Sequence, residues 1–494
     1  MSATPPTSYD VAIIGYGPVG ATLANLLGLS GVAVLVVERE SIAYHLPRAV
    51  SFDDEVMRVF QTIGLAARIL PDTHAVIGTR FIDAEGRLLI EWPRHSADQP
   101  MGWQGNYRFH QPTLEAVLRE GVARFGNVTV RTLTEADTIE EHDNHATIGL
   151  VDLATGRAGE VRARYVVGCD GARSLVRRCI GAEMQDLGLH ERWLVIDALL
   201  TRDMPELGDW TLQHCNPDRP ATYVRGVGRR RRWEIMQTPA DDSEAFADPD
   251  NVWSLLRPWI SPDDATIERA VPYMFHALLA QHWRRGRMLL AGDSAHQTPP
   301  FLGQGMCAGI RDAANLAWKL AAVVRGRAPE ALLDSYATER APHVREYIEL
   351  AVRLGALLMA LRPGMADPLS PQTLATPRPR LGPGAFDGAT PAAGHLAPQP
   401  VLSSGVRLDD AIGYRFALLL HPEAAREAIP VVGGHACPPA GGGLVPAARE
   451  DLVIVQDAAL RHWLDRLGAR AALVRPDRYV QALAYRDAQV ASLR

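Results

Sequence analysis

Residues 9–14 form a short, mainly apolar run, a glycine cluster follows at Gly15–Gly20, and residues 21–29 carry apolar positions at helical spacing. A second apolar run covers residues 32–37. Short apolar runs bounded by turns read as buried strands, and strand–helix–strand over about thirty residues reads as a parallel crossover unit. Between about 180 and 275 the pattern changes. Residues 193–200, 222–226 and 232–237 read as strands between turns, which predicts an antiparallel sheet. From Met288 the chain returns to strand, loop and a long helix that ends near Leu361. Nine prolines between 363 and 400 exclude a continuous helix or a central strand, so that stretch is an extended connector. Residues 407–420, 452–455, 458–467 and 471–474 then alternate strand with helix, as a small α/β module would.

At 494 residues the chain is long enough for two or three domains. The net charge of −6 and the pI near 6.3 give no electrostatic case for nucleic acid or an anionic membrane. The five cysteines (Cys169, Cys179, Cys215, Cys307 and Cys437) are dispersed and form no CxxC. That disfavours a disulfide framework or a metal site and suits a reducing cytoplasm. Neither a leader peptide nor a membrane-spanning run is expected from the hydropathy pattern.

The strongest local signal is Gly15-Tyr16-Gly17-Pro18-Val19-Gly20, set between a strand and a helix. Gly15 makes the tight turn, Gly17 lets the backbone approach a pyrophosphate, and Gly20 lets helix and strand pack closely. Glu38, at the end of the second strand, can accept hydrogen bonds from ribose hydroxyls. This pattern alone fits NAD as well as FAD. Two further segments end apolar strands with an acid and a glycine: residues 165–174, containing Asp170-Gly171, and residues 286–306, containing Gly292-Asp293 and Gly303-Gln304-Gly305. Either alone reads best as an Asp-Gly turn. Three such strand ends around one dinucleotide fold favour a ligand that spans them.

These three segments resemble the signatures of flavin-dependent aromatic hydroxylases, the group A flavoprotein monooxygenases. The chain is most similar to 3-(3-hydroxyphenyl)propionate hydroxylases and to hydroxylases of polyketide pathways. Residues 47–50, 109–115, 315–320 and 475–480 carry the same resemblance. It implies an α/β fold in five parts. A Rossmann-like FAD-binding domain (1–180 and 276–362) would be interrupted by an antiparallel-sheet substrate domain (181–275). The connector (363–400) would lead to a thioredoxin-like C-terminal domain (401–494). It also implies non-covalent FAD, NADH or NADPH as co-substrate, and O₂ activated as a flavin C4a-hydroperoxide that hydroxylates a phenol. Gly15, Gly17 and Gly20 would cradle the pyrophosphate, and Glu38, with Arg39 beside it, would hold the adenosine ribose. Arg48 and Gln111 would reach the phosphate and ribityl region. Asp170 and Gly171 would line the cofactor channel, and Asp293 would bind the ribityl chain. Gly303, Gly305, Met306 and Cys307 would face the flavin ring.

Catalytic candidates are His296, Pro300 and Asp53, and each has a plainer reading. His296 is as readily a structural hydrogen-bonder, Pro300 a loop-shaper, and Asp53 an acid suited to a helix start. Trp193, Tyr223 and Trp233 are candidate substrate walls, with core filling as the alternative, while Arg229–Arg232 reads as a solvated loop. With Cys437 as the module's only cysteine, a redox role for that module is disfavoured against a structural or dimer-forming one. The expected partners are a small phenolic or polyketide-like substrate and O₂, with no nucleic acid or membrane; a homodimer is left open. The rival classes are a flavoprotein oxidising or epoxidising a non-aromatic substrate, and a catalytically silent flavin-binding protein.

Overall fold

A computed structural model of the chain describes residues 8–42, 47–94, 99–242, 245–361, 378–388, 390–424 and 452–486. The core of the first sheet is five parallel strands in the order Val128–Arg131, Val34–Val37, Ser8–Ile14, Ala158–Gly168, Met288–Leu290. Its central strands are buried on both faces, which explains their unbroken apolar character. Helices Pro18–Leu29 and Gly305–Val324 pack together beside it. The order of strands places the ends of Ser8–Ile14, Ala158–Gly168 and Met288–Leu290 side by side, although they are far apart in sequence.

The second sheet has eight strands. From one edge they are His296–Gln297, Ala265–Ala280, Met184–Leu200, Arg230–Met236, Ala221–Arg225, Thr211–His214, Gly78–Ile82 and Leu88–Pro93. Two points differ from the sequence expectation. The sheet is mixed, because Thr211–His214 runs parallel to Gly78–Ile82. Its last two strands come from residues 78–93, well before 181. Local periodicity predicts that a segment is a strand but not which distant segment it pairs with.

Alternation along these strands sorts their side chains to two faces. Leu194, Ile196, Tyr223, Trp233 and Ile235 pack in a core with helix Pro249–Leu256. Trp193, Val195 and Asp197 point to the opposite face, where Trp193 packs in a core with Phe301, Tyr347 and Leu354.

The C-terminal module is a four-stranded sheet ordered Leu452–Gln456, Phe416–Leu420, Ala471–Val474, Val480–Ala484, with only the first pair parallel. Cys437 lies outside the described residues. Buried ion pairs clamp the module to the rest. Arg58 holds both oxygens of Asp409 at 2.7 and 3.0 Å. Arg475 donates to both oxygens of Glu339 at 2.9 Å, and Lys319 joins the same carboxylate at 2.8 Å. Among the described residues no helix is long and apolar enough to cross a membrane.

Candidate active site

The first parallel strand ends in the glycine turn, whose three glycines are required for different reasons. Gly15 sits at φ +101°, and a Cβ there would lie 2.4 Å from the Cys169 carbonyl oxygen. A Cβ on Gly20 would lie 2.1 Å from the Gly15 oxygen. Gly17 differs: a Cβ there would meet no atom within 4 Å. It caps helix Pro18–Leu29 without a side-chain hydrogen bond, and among the described residues the Val19 and Gly20 N–H groups have no partner. Free N–H groups at a helix N-terminus beside an open backbone suit a bound phosphate.

Glu38 stands at the end of the neighbouring strand and braces the turn. Its Oε2 accepts from the Tyr16 N–H at 2.8 Å and its Oε1 from the Glu40 N–H at 2.9 Å. Arg39 points outward and pairs with Glu40 at 3.2 Å. Gln111 Oε1 accepts from the N–H groups of Arg48 and Ala49 at 2.8 and 2.7 Å, so it fixes that backbone, and the Arg48 side chain is exposed.

At the second strand end, Asp170 Oδ2 accepts from the Leu175 N–H at 2.7 Å, whereas its Oδ1 is buried without a partner. Burial raises its pKa against those hydrogen bonds. Gly171 adopts φ +73° and leaves open space where a Cβ would stand. At the third strand end, Asp293 is solvent-accessible, yet surrounding protein removes enough hydration to raise its pKa, opposed by the charges of His296 and Arg48. No protein hydrogen bond engages its carboxylate among the described residues.

The Pro300–Leu302 turn then leads through Gly303, at φ +65°, into helix Gly305–Val324. That helix has no side-chain cap. The N–H groups of Gly305, Met306 and Cys307 have no partner among the described residues, and a Cβ on Gly305 would face open space. Here too a helix start offers unpaired donors to an electron-rich group.

Several candidates receive corrected roles. His296 is fully buried, and its Nε2 lies 2.7 Å from Asp312 Oδ2, while Arg340 and the Gly292 N–H engage the same carboxylate. Through Asp312 it braces the Gly292 turn. Asp53 caps helix Asp54–Thr62 through the Val56 N–H at 3.1 Å and pairs with buried Arg311, so its carboxylate is already committed. Pro300 opens the turn that seats Phe301 against Trp193. Tyr223 and Trp233 are core residues on the face covered by Pro249–Leu256. Trp193 is on the opposite face but is 1% exposed, with its indole N–H donating to Glu191.

Arg231 and Arg232 are likewise buried strand residues rather than a solvated loop. Arg232 holds both oxygens of Asp197 at 2.7 and 2.9 Å and donates to the Pro47 and Arg48 carbonyls at 2.8 and 2.7 Å. Arg269 donates to the same Pro47 carbonyl. This clamp ties the second sheet to the 47–48 segment that Gln111 also holds. The available signal was charge at alternate positions, Arg232 and Glu234, within a predicted strand.

Three adjacent strand ends with open glycine backbone, unpaired helix N–H groups and an unengaged carboxylate form a candidate dinucleotide site; the donor set fits a dinucleotide laid across the sheet edge. Residues 8–351 match the FAD binding domain family, and residues 394–493 match the HcaD C-terminal domain family. The probable NADH-specific resorcinol 4-hydroxylase of Rhodococcus jostii is 36% identical over 500 residues, covering 98% of this chain and 93% of the relative. The 3-(3-hydroxy-phenyl)propionate/3-hydroxycinnamic acid hydroxylase of Mycolicibacterium smegmatis is 37% identical, covering 96% and 90%. The flavin-dependent monooxygenase PieE, solved with FAD and substrate, superposes with a TM-score of 0.82 at 22% identity, covering 99% and 98% of the two chains. The chain belongs to the FAD-dependent aromatic hydroxylase family.

Asp293→Ala is expected to weaken FAD retention roughly ten- to a hundredfold, the value of a charge-assisted hydrogen bond of about 1.5–3 kcal/mol. Flavin released on dilution, followed by fluorescence, checks this; wild-type retention would remove Asp293 from the cofactor site.

Proposed function

We propose that this chain hydroxylates a small phenol, using O₂ and a nicotinamide donor. The observation that carries the reading is the adjacency of the three strand ends, with a second sheet tied to the 47–48 backbone by Arg232 and to the 300–302 turn by Trp193 against Phe301. FAD, when bound, supplies hydride acceptance from the donor and activation of dioxygen. The chain's own residues supply the rest. The N–H groups at Val19 and Gly20 would hold the pyrophosphate, Glu38 the adenosine ribose and Asp293 the ribityl chain. The N–H groups of Met306 and Cys307 would oppose negative charge that builds on the flavin's pyrimidine side. Gly171 and the 299–305 loop would flank the ring and time access of the donor. Apolar Trp193 and Phe301 would help exclude water from the reacting centre. The names of the two relatives support a phenolic substrate, and use of a reduced nicotinamide would suit a cytoplasmic enzyme.

The test is NADH and NADPH consumption against product formed. Resorcinol or 3-(3-hydroxyphenyl)propionate is expected to raise oxidation at least tenfold, a barrier change of about 1.4 kcal/mol, with hydroxylated product formed. Fast, substrate-independent oxidation that yields only hydrogen peroxide overturns the reading.

A further inference from the structure

The near face of the second sheet carries a buried carboxylate without a hydrogen-bond donor. Glu234 is 7% exposed, lies in strand Arg230–Met236, and accepts no hydrogen bond among the described residues. Its nearest ion contact is Arg232 Nη1 at 3.9 Å, and that guanidinium is already committed to Asp197 and to the Pro47 and Arg48 carbonyls. That contact is too long for a hydrogen bond, so both Glu234 oxygens keep acceptor capacity for a ligand.

Register fixes where it points. Glu234 pairs with Val195 on one side and Thr222 on the other, and Thr222 pairs with Gln213. Two residues along the same strand, Arg232 reaches the Pro47 and Arg48 carbonyls. Two residues the other way, Met236 lies opposite Trp193, which packs on Phe301 at the entrance to the 303–305 loop. Glu234 therefore sits between the strand position that grips the 47–48 backbone and the one opposite Trp193, which packs on the Phe301 turn. From the small sheet Ser51–Asp53, Asn106–Phe109, Thr73–Ala75, Arg108 reaches the same face and donates to Thr211. The charged groups that act on Glu234 are Arg232 on its own strand, Asp197 on the adjacent strand and Arg108 opposite.

We propose that Glu234 is the catalytic base that accepts the hydroxyl proton of the bound phenol, with Arg108 opposite the phenolate charge. This rests on the proposed function. The phenolic O–H bond breaks and a carboxyl O–H bond forms. The electron pair left on oxygen enters the ring and makes its ortho and para carbons nucleophilic. Burial raises the Glu234 pKa, against the charges of Arg232 and Arg108, so the carboxylate is a stronger base than an exposed one.

Resorcinol hydroxylation is measured with wild type, Glu234→Gln and Glu234→Asp, each with FAD content verified. Glu234→Gln should lower kcat about 100-fold, the scale of general-base catalysis, and remove the acidic limb of the kcat/KM profile. Glu234→Asp should keep that limb and recover part of kcat. Normal stimulation of wild type by resorcinol, with kcat and the acidic limb unchanged in Glu234→Gln, overturns this proposal alone. Failure of every phenol to stimulate wild type overturns the functional reading and this proposal with it. If Glu234→Gln does not fold, wild type decides. Resorcinol should then bind at least tenfold more tightly than 1,3-dimethoxybenzene, which has no O–H, as read from flavin absorbance. Equal affinity overturns the proposal.

Discussion

Gly17→Val is expected to yield a folded, colourless protein. The position has φ −72°, which any residue adopts, and a Cβ there meets no protein atom within 4 Å, so the apo fold accepts the side chain. The added methyl groups would occupy the space through which a pyrophosphate reaches the N–H groups of Val19 and Gly20. Loss of that approach should weaken FAD binding by at least about 100-fold, or roughly 2.7 kcal/mol. Gly15→Val is the contrasting variant, since φ +101° and a carbonyl oxygen 2.4 Å from the new Cβ should prevent folding altogether. Flavin absorbance after reconstitution and a thermal melt separate the two outcomes. Full flavin occupancy in Gly17→Val would show that the turn does not carry the phosphates.

Arg475→Ala is expected to destabilise the protein by about 3–5 kcal/mol, the cost of leaving buried charge uncompensated. Arg475 is fully buried and holds Glu339 from the long helix Asp334–Ala360 together with Asp477. Removing it leaves Lys319 as the only cation on Glu339 among the described residues. In the wild type, burial raises the Glu339 pKa, but the charges of Arg475 and Lys319 outweigh it and hold the carboxyl at about 2. The unfolded value is about 4.3. A depressed folded pKa means that this stabilisation is present above the unfolded value and is lost as pH falls toward 2. In the variant, burial would raise the carboxyl pKa, so the deficit should be largest at neutral pH and shrink on acidification. Urea midpoints at pH 7.5 and 5 check both points. A loss below about 1 kcal/mol at neutral pH would mean that the clamp contributes little.

The parts of the candidate site legible in the sequence were those whose chemistry is local. The glycine turn, Glu38, Asp170 and Asp293 are defined by what immediately precedes and follows them, and a strand followed by glycine is visible in one window. Residues whose meaning depends on a distant partner were read less well. Asp53 suggested an acid or base, but Arg311, 258 positions away, commits it. His296 suggested a relay until Asp312 and Arg340 closed around it. For Tyr223 and Trp233 the alternation was readable, but which face looks toward the flavin loops depends on pairing between strands. Glu234 escaped for the same reason, and residues 78–93 joined the second sheet through a parallel pairing that no local pattern announces.

The clamp of Arg232, Arg269 and Asp197 on Pro47 and Arg48 sets a rule for recombining this enzyme with its relatives. A chimera cut at the boundaries of the 184–280 segment would inherit a foreign sheet face while keeping the native 47–48 backbone, and would also split that sheet from its own edge strands at 78–93. The exchangeable unit is therefore discontinuous: both stretches travel together, with the two arginines matched to the carbonyls they grip and Asp197 kept to hold Arg232.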